Sequence, residues 1–317
     1  MCGTAAPGCT TFLKTIIYFL TALKTKFGLK TIAITLGDVA GIGPEIVRKA
    51  LRSSRLSPHF RYHVLLEDQA PKVPRGKPFR AAARFAMDSL EAGVAGCLRG
   101  DYAALVTAPV NKAALHAAGF RFPGQTEWLA HRTGARHHAM MLIGGGLRVT
   151  LVTTHVPLRR VSRLLTRKGI IEKIALTAQA LMNFGIRRPR ILVAGLNPHS
   201  GSASEEDREE SEIIVPAARN ARRRLKIAIE GPFSPDHVFW LARHTGADAV
   251  VCMYHDQGLI PLKMLAFDRG VNFTLGLPII RAAPDHGTAY DIAGKNRASP
   301  DSMIEAINLA VKLAARP

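Results

Sequence analysis

The chain has 317 residues, and its 43 Lys and Arg outnumber 24 Asp and Glu to give a formal charge of +19. Hydrophobic residues make up 47%, which excludes a disordered, collagenous or coiled-coil chain. At roughly 150 residues per domain the length fits two domains or lobes. Four scattered cysteines form no C-x-x-C pair, so neither a disulfide scaffold nor thiolate zinc is indicated. A reducing compartment, the cytoplasm, fits best.

Residues 1–28 carry Lys14, Lys24 and Lys26 and no acid, around an apolar run at 15–23. A spanning helix needs ~20 apolar residues, so this run does not cross a membrane. The segment reads as an extension ahead of the fold, either a start codon assigned too early or a short membrane-surface helix.

From residue 30 onward, strand and helix patterns alternate. Residues 31–36 (TIAITL) form a strand, followed by a glycine turn and a helix opening at Pro44. A strand-like piece at 62–66 precedes a helix over 79–98 and a strand at 104–107. Strands are expected at 148–153, 190–195, 247–253 and 271–275, and helices over 170–184 and 209–223. Ser299-Pro300-Asp301 caps a last helix reaching Ala314. Such alternation implies a mostly parallel sheet with helices on its faces.

The excess of positive charge is dispersed. Its densest groups, at 159–160, 187–190 and 222–226, are not interleaved with aromatics, and no nucleic-acid-binding signature accompanies them. Solvated faces explain them, with a general pull on anionic small molecules as a second use. No nucleic-acid or membrane partner is expected.

No G-x-G-x-x-G follows a strand and no P-loop occurs. The turn Gly37-Asp38-Val39-Ala40-Gly41-Ile42-Gly43 either serves a tight strand-to-helix connection or brings backbone N–H groups to a ligand. Three of the 12 histidines, His155, His199 and His255, sit just past the ends of expected strands. Ligands collect at the carboxyl ends of parallel strands. The three are either ligands of one divalent ion with an open position or ordinary hydrogen-bonded side chains. Lys263, Asn272 and Arg281 follow in the same region, where a Lys charge and an Arg fork suit a phosphate or carboxylate. The small-residue loop 285–294 either lets an adenine ring lie against backbone or is a plain turn.

These segments together resemble the 4-hydroxythreonine-4-phosphate dehydrogenase (PdxA) family from about Lys30 onward. The resemblance is carried by GDVAGIGPEI (37–46), VTAPVNKAAL (106–115), GQTEWLA (124–130), TTHVPL (153–158), GLNPHSG (195–201), YHDQGLIPLK (254–263), VNFTLGLPIIR (271–281) and DHGTAYDIAG (285–294). It implies a two-lobed isocitrate/isopropylmalate dehydrogenase-like α/β fold over residues 29–317, with a mostly parallel sheet, helices on both faces and a cleft between the lobes. It implies a homodimer with a shared active site. One divalent metal (zinc, magnesium or cobalt) would be held by His155, His199 and His255, one of them lent by the partner subunit.

The same resemblance puts substrate contacts on Gln125, Thr126, Lys263, Asn272 and Arg281. NAD or NADP would lie on His286, Gly287, Thr288, Ala289 and Asp291. Lys263, Asp256 or a metal-bound water would accept the proton. The implied reaction oxidises 4-phosphooxy-L-threonine at C3 to 2-amino-3-oxo-4-phosphooxybutanoate, which loses CO2 to give 3-amino-2-oxopropyl phosphate. Gln125 stands where the family usually has His, Val39 where it has Pro, and residues 202–204 replace a Glu/Gly-rich stretch. These departures motivate an alternative, a related dehydrogenase of 4-phospho-D-threonate or 4-phospho-D-erythronate.

Overall fold

The computed structural model describes residues 28–200 and 208–316. The apolar run at 15–23 and the replaced stretch at 202–204 lie outside the described residues. Ten strands, in chain order, are β1 Thr31–Thr35, β2 Arg61–Val64, β3 Ala104–Thr107, β4 Ala139–Gly144, β5 Leu147–Leu151, β6 Arg190–Ala194, β7 Ala228–Phe233, β8 Ala249–Cys252, β9 Val271–Leu275 and β10 Arg281–Pro284. The principal helices are α1 Gly43–Leu51, α2 Arg80–Arg99, α3 Lys112–Ala117, α4 Gln125–Thr133, α5 Arg167–Asn183, α6 Val215–Leu225, α7 Val238–His244, α8 His255–Ala266 and α9 Asp301–Ala314. No helix among the described residues is long and apolar enough to cross a membrane.

All ten strands join one sheet in the order β2-β1-β3-β10-β9-β4-β5-β8-β6-β7. The expected mostly parallel sheet is present as two blocks. β2-β1-β3-β10 are parallel to one another, as are β5-β8-β6-β7. Between them β9 runs antiparallel to both β10 and β4, and β4 antiparallel to β5. The two blocks therefore run in opposite senses, and their carboxyl ends point to opposite rims.

Strands buried on both faces read as continuous apolar runs, and β1 shows why. Ile32 and Ile34 pack with α9 residues Met303, Ile304 and Ile307, whereas Ala33 faces Leu90 and Val94 of α2. In the central strands the faces differ. Val271, Phe273 and Leu275 of β9 turn into the core against α5 and α9, while Asn272 and Thr274 alternate to the other side. That second face of β9, β10 and β4 carries no helix directly over Asn272, and a cavity opens there.

The sequence pattern misses β4, β7, β10, α3, α4, α7 and α8. β10 (RAAP) has poor intrinsic strand propensity and ends in proline; it is a strand because β3 and β9 pair with it on both sides. β7 is interrupted by Gly231-Pro232, which a period-2 search rejects.

The glycine turn after β1 is a close-packing device. Gly37 has φ +62°, and a Cβ there would stand 2.3 Å from Pro109 O; one on Gly41 would stand 2.7 Å from Thr288 O. Asp38 N donates to Pro109 O at 2.9 Å, Ile42 N to Thr288 O at 3.0 Å, and Tyr290 Oη to Asp38 Oδ2 at 2.5 Å. The turn thus pins both the segment after β3 and the loop after β10. Gly37→Ala adds a backbone clash to a left-handed φ, so we expect about 3 kcal/mol of destabilisation. Thermal unfolding followed by circular dichroism checks this; an unchanged Tm would contradict it.

Candidate active site

The hydrogen bonding between β5 and β8 continues past the strand ends, with Val152 N donating to Cys252 O at 2.8 Å and Thr153 N to Met253 O at 3.1 Å. The two following segments leave side by side, and the ring centroids of His155 and His255 stand 5.5 Å apart. Two imidazoles on one tetrahedral ion at ~2.0–2.1 Å put their centroids ~5 Å apart, so this pair is placed to share a metal. Burial, Lys112 and His255 hold the His155 pKa below the ordinary histidine range, which favours the neutral, metal-binding imidazole. His255 opens α8, and its Nδ1 lies 2.7 Å from Asp256 Oδ1. A carboxylate there orients the ring and leaves Nε2 for a ligand.

Both imidazoles line a cavity of about 360 Å³ on the face of the central strands, with Lys112, Gln125, Thr126, Glu127, Asn272, Arg281, His286 and Gly287 also on its wall. His199, on the loop after β6, is not on that wall, and no group of three ligating side chains that could hold a metal forms among the described residues. The structure thus brings together two of the three expected ligands.

Arg281 is 4% exposed. Its Nε and Nη2 donate to Thr107 Oγ1 (3.1 and 2.6 Å), Nη1 to Thr274 Oγ1 (3.1 Å), and Nη2 also to Gln125 Oε1 (3.4 Å). Among the described residues it makes no ion pair with a carboxylate; burial lowers its pKa to about 10, opposed by the charge of Glu127. A buried guanidinium held by neutral oxygens is a poor stabiliser and a good anion receptor. Two other polar atoms on the same wall, Asn272 Oδ1 and His286 Nε2, are buried without a hydrogen-bond partner. Orphaned buried polar atoms are rare, and here they face one cavity.

Lys263 reaches the wall through Asp285, its Nζ 2.8 Å from Oδ2 and 2.5 Å from the backbone O. Asp256 is a solvent-facing residue, its side chain 70% exposed. Of the expected coenzyme loop, His286 and Gly287 reach the cavity. Thr288 is buried under the glycine turn, Ala289 adopts φ +41°, and Asp291 is exposed. A second small cavity, about 220 Å³, lies at the far end of that loop beside Gly41, Arg48, Arg75, Gly294 and Asn296. Residues absent from the sequence reading of the site are Thr107, Lys112 and Glu127. The signal for Thr107 and Lys112 was the position of 106–115 at the end of a strand, and that for Glu127 was its place beside Gln125 and Thr126 in 124–130.

A larger cavity, about 870 Å³, lies between α5, α9 and the 276–280 loop, with Arg316 the one charged residue on its wall among the described residues. No cluster of titratable groups meets there, so volume and chemistry disagree, and the chemistry marks the smaller cavity.

Opposed parallel blocks and a polar cavity over the central strands define an α/β protein of the isocitrate dehydrogenase type. The isocitrate dehydrogenase of Methylococcus capsulatus aligns over 91% of this chain and 86% of its own, at TM-score 0.53 and 15% identity, which shows the fold alone. The chain belongs to the PdxA family, described as pyridoxal phosphate biosynthetic protein PdxA, whose model matches residues 17–310. A 4-hydroxythreonine-4-phosphate dehydrogenase of Chromobacterium violaceum is 43% identical over 89% of this chain and 96% of its own. The crystal structure of 4-hydroxythreonine-4-phosphate dehydrogenase from Klebsiella pneumoniae is 37% identical, with TM-score 0.76 over 90% of this chain and 99% of that one.

Arg281→Met should leave the ligand-free Tm unchanged or raise it, because a buried unpaired charge is removed. Inorganic phosphate should raise the Tm of the parent protein and not of the variant; equal shifts would contradict the anion reading. Burial also holds the His286 pKa below the ordinary value, with Lys263 adding to the effect. A depressed folded pKa means stability present above pH ~6.5 and lost as pH falls through the folded value. His286→Gln should therefore lose less Tm than the parent between pH 7.5 and 5; parallel losses would contradict this.

Proposed function

We propose that the chain is an NAD(P)- and metal-dependent dehydrogenase of 4-phosphooxy-L-threonine in pyridoxal phosphate biosynthesis, working in the cytoplasm. It oxidises the substrate at C3 to 2-amino-3-oxo-4-phosphooxybutanoate, which decarboxylates to 3-amino-2-oxopropyl phosphate. The observation that carries the reading is the single cavity in which a buried Arg281, the orphaned Asn272 and two facing imidazoles meet. Family membership supplies the reaction.

Arg281, Gln125 and Thr126 take the phosphate. Asn272 Oδ1, a buried acceptor without a donor, takes a hydroxyl or ammonium hydrogen and so sets which face of C3 is presented. His155 and His255 hold the divalent ion, which supplies Lewis acidity that makes the C3 hydroxyl easier to deprotonate. Of the candidate proton acceptors, Asp256 is engaged by His255 and Lys263 is ion-paired with Asp285, so a metal-bound water stands beside them as the third candidate. The 285–294 loop would hold the coenzyme, with His286 and Gly287 on the wall of the catalytic cavity and Arg75 and Gly294 beside the second cavity, and the coenzyme would supply the hydride acceptor.

The third imidazole comes from a second copy. Helix α8, which begins at His255, exposes Ile260 (62%) and Met264 (83%), and its C-cap residue Phe267 (78%) continues them at i, i+4 and i+7. One apolar stripe on a helix face is what a homodimer buries. A subunit seated there brings its own His199 to the pair.

A second reading, a 4-phospho-D-threonate or 4-phospho-D-erythronate dehydrogenase, is motivated by Gln125, which stands where the family usually has His and whose amide oxygen accepts from Arg281 at 3.4 Å. Coenzyme reduction followed at 340 nm with the three substrates separates them. The first reading expects kcat/KM at least ~10-fold higher on 4-phosphooxy-L-threonine, about 1.4 kcal/mol of discrimination. His155→Ala should lower turnover by more than ~100-fold with an unchanged circular dichroism spectrum. Full turnover in chelator-stripped buffer would refute the metal.

A further inference from the structure

The loop carrying His199 is held by two buried side chains that the scheme above does not use. Glu210 is 0% exposed and lies in a π-helical turn, Glu209–Ile214, that leads into α6. Single π-helical turns recur at functional sites because they re-aim the side chains they carry. Glu210 Oε1 accepts from Leu196 N at 2.7 Å and Asn197 N at 2.8 Å, and Oε2 accepts from Asn197 Nδ2 at 2.9 Å. One carboxylate thus satisfies three donors on the two residues that precede Pro198-His199.

One residue earlier in the same loop, Gln257 Nε2 donates to Gly195 O at 2.7 Å while its Oε1 accepts from Met253 N at 2.6 Å. Met253 is two residues before His255. A Cβ on Gly195 would stand 2.5 Å from Ser200 Oγ and 3.2 Å from Glu210 Oε1, so the glycine admits the carboxylate. Of the described carboxylates only Asp38 is comparably buried, and Asp38 is spent on the glycine turn and Tyr290.

We propose that Glu210 is a positioning residue, which with Gln257 fixes the His199 loop relative to the His255 turn and so presents the His199 imidazole in one direction for the shared ion. This rests on the reading of His155, His199 and His255 as metal ligands. Without the Glu210 carboxylate, the N–H groups of Leu196 and Asn197 must turn to water or to new partners, Asn197 Nδ2 keeps only Glu209 Oε2 at 3.3 Å, and the direction of His199 is no longer set. Outer-shell groups of this kind tune affinity without touching the metal.

The test titrates the metal-free, full-length protein with Co2+ alone and follows its visible absorption. Glu210→Ala should bind Co2+ ~10–100-fold more weakly, with an altered visible band, while the metal-free protein keeps its circular dichroism spectrum. Glu210→Gln keeps an oxygen for the two backbone donors but turns an amide against the Asn197 amide, so it should fall between, about 3–10-fold weaker. Saturating Co2+ should restore turnover in both. Affinity within twofold of the parent in Glu210→Ala overturns the proposal; if that variant does not fold, parent-like affinity in Glu210→Gln does so. If His155→Ala abolishes Co2+ binding while neither Glu210 variant alters it, this proposal fails and the metal reading stands. If the parent itself takes up no Co2+, or His155→Ala binds it equally well, the metal reading fails and this proposal with it.

Discussion

The position of β8 between β5 and β6 is the constraint on which the site depends. Parallel pairing on both sides of β8 makes three strands end at one rim. The segments that follow them, bearing His155, His255 and His199, then start from adjacent points. Continued backbone pairing at Val152 and Thr153 keeps the first two together, while the buried amide of Gln257 ties down the loop of the third, whose imidazole is not on their cavity wall. No single element makes the site. It is a property of strand order, which is why a chain with these histidines in another topology would have no such pair.

The antiparallel pair β9 and β4 does the complementary work. Because it reverses the sense of the sheet, the carboxyl ends of β3 and β10 lie on the rim opposite those of β5 and β8. A ligand can meet both sets only by lying across the face of the central strands. Asn272, Thr274 and Arg281 are the side chains on that face. A charged group embedded in a sheet is costly, and threonine hydroxyls on β3 and β9 offset only part of the cost. An anion bound at Arg281 would offset the remainder.

Much of the fold was legible because burial writes it plainly. β-branched runs such as 31–35 and 190–194, the Pro-opened α1 and the Asp301-capped α9 follow local rules and occur where those rules place them. β10 and β4 were not legible, since alanine and methionine become strands there through their neighbours and not through propensity. The reversed central pair followed from neither composition nor period. The places of His155, His255, Asn272 and Arg281 beside strands marked them for one region, and they share a cavity wall, whereas His199, marked in the same way, is not on it. Thr107 was missed because its part is to support Arg281, 174 residues away in sequence. Glu210 looked like one more acid on a helix until its three hydrogen bonds were seen.

The most direct measurement of the central claim is anomalous diffraction at the cobalt edge from crystals of the full chain grown with Co2+. The account predicts one strong peak per subunit, within ~2.3 Å of a ring nitrogen of His155 and of His255, with the partner subunit's His199 completing the set. A cobalt peak elsewhere, or none in this cavity with both imidazoles turned to other partners, would contradict it.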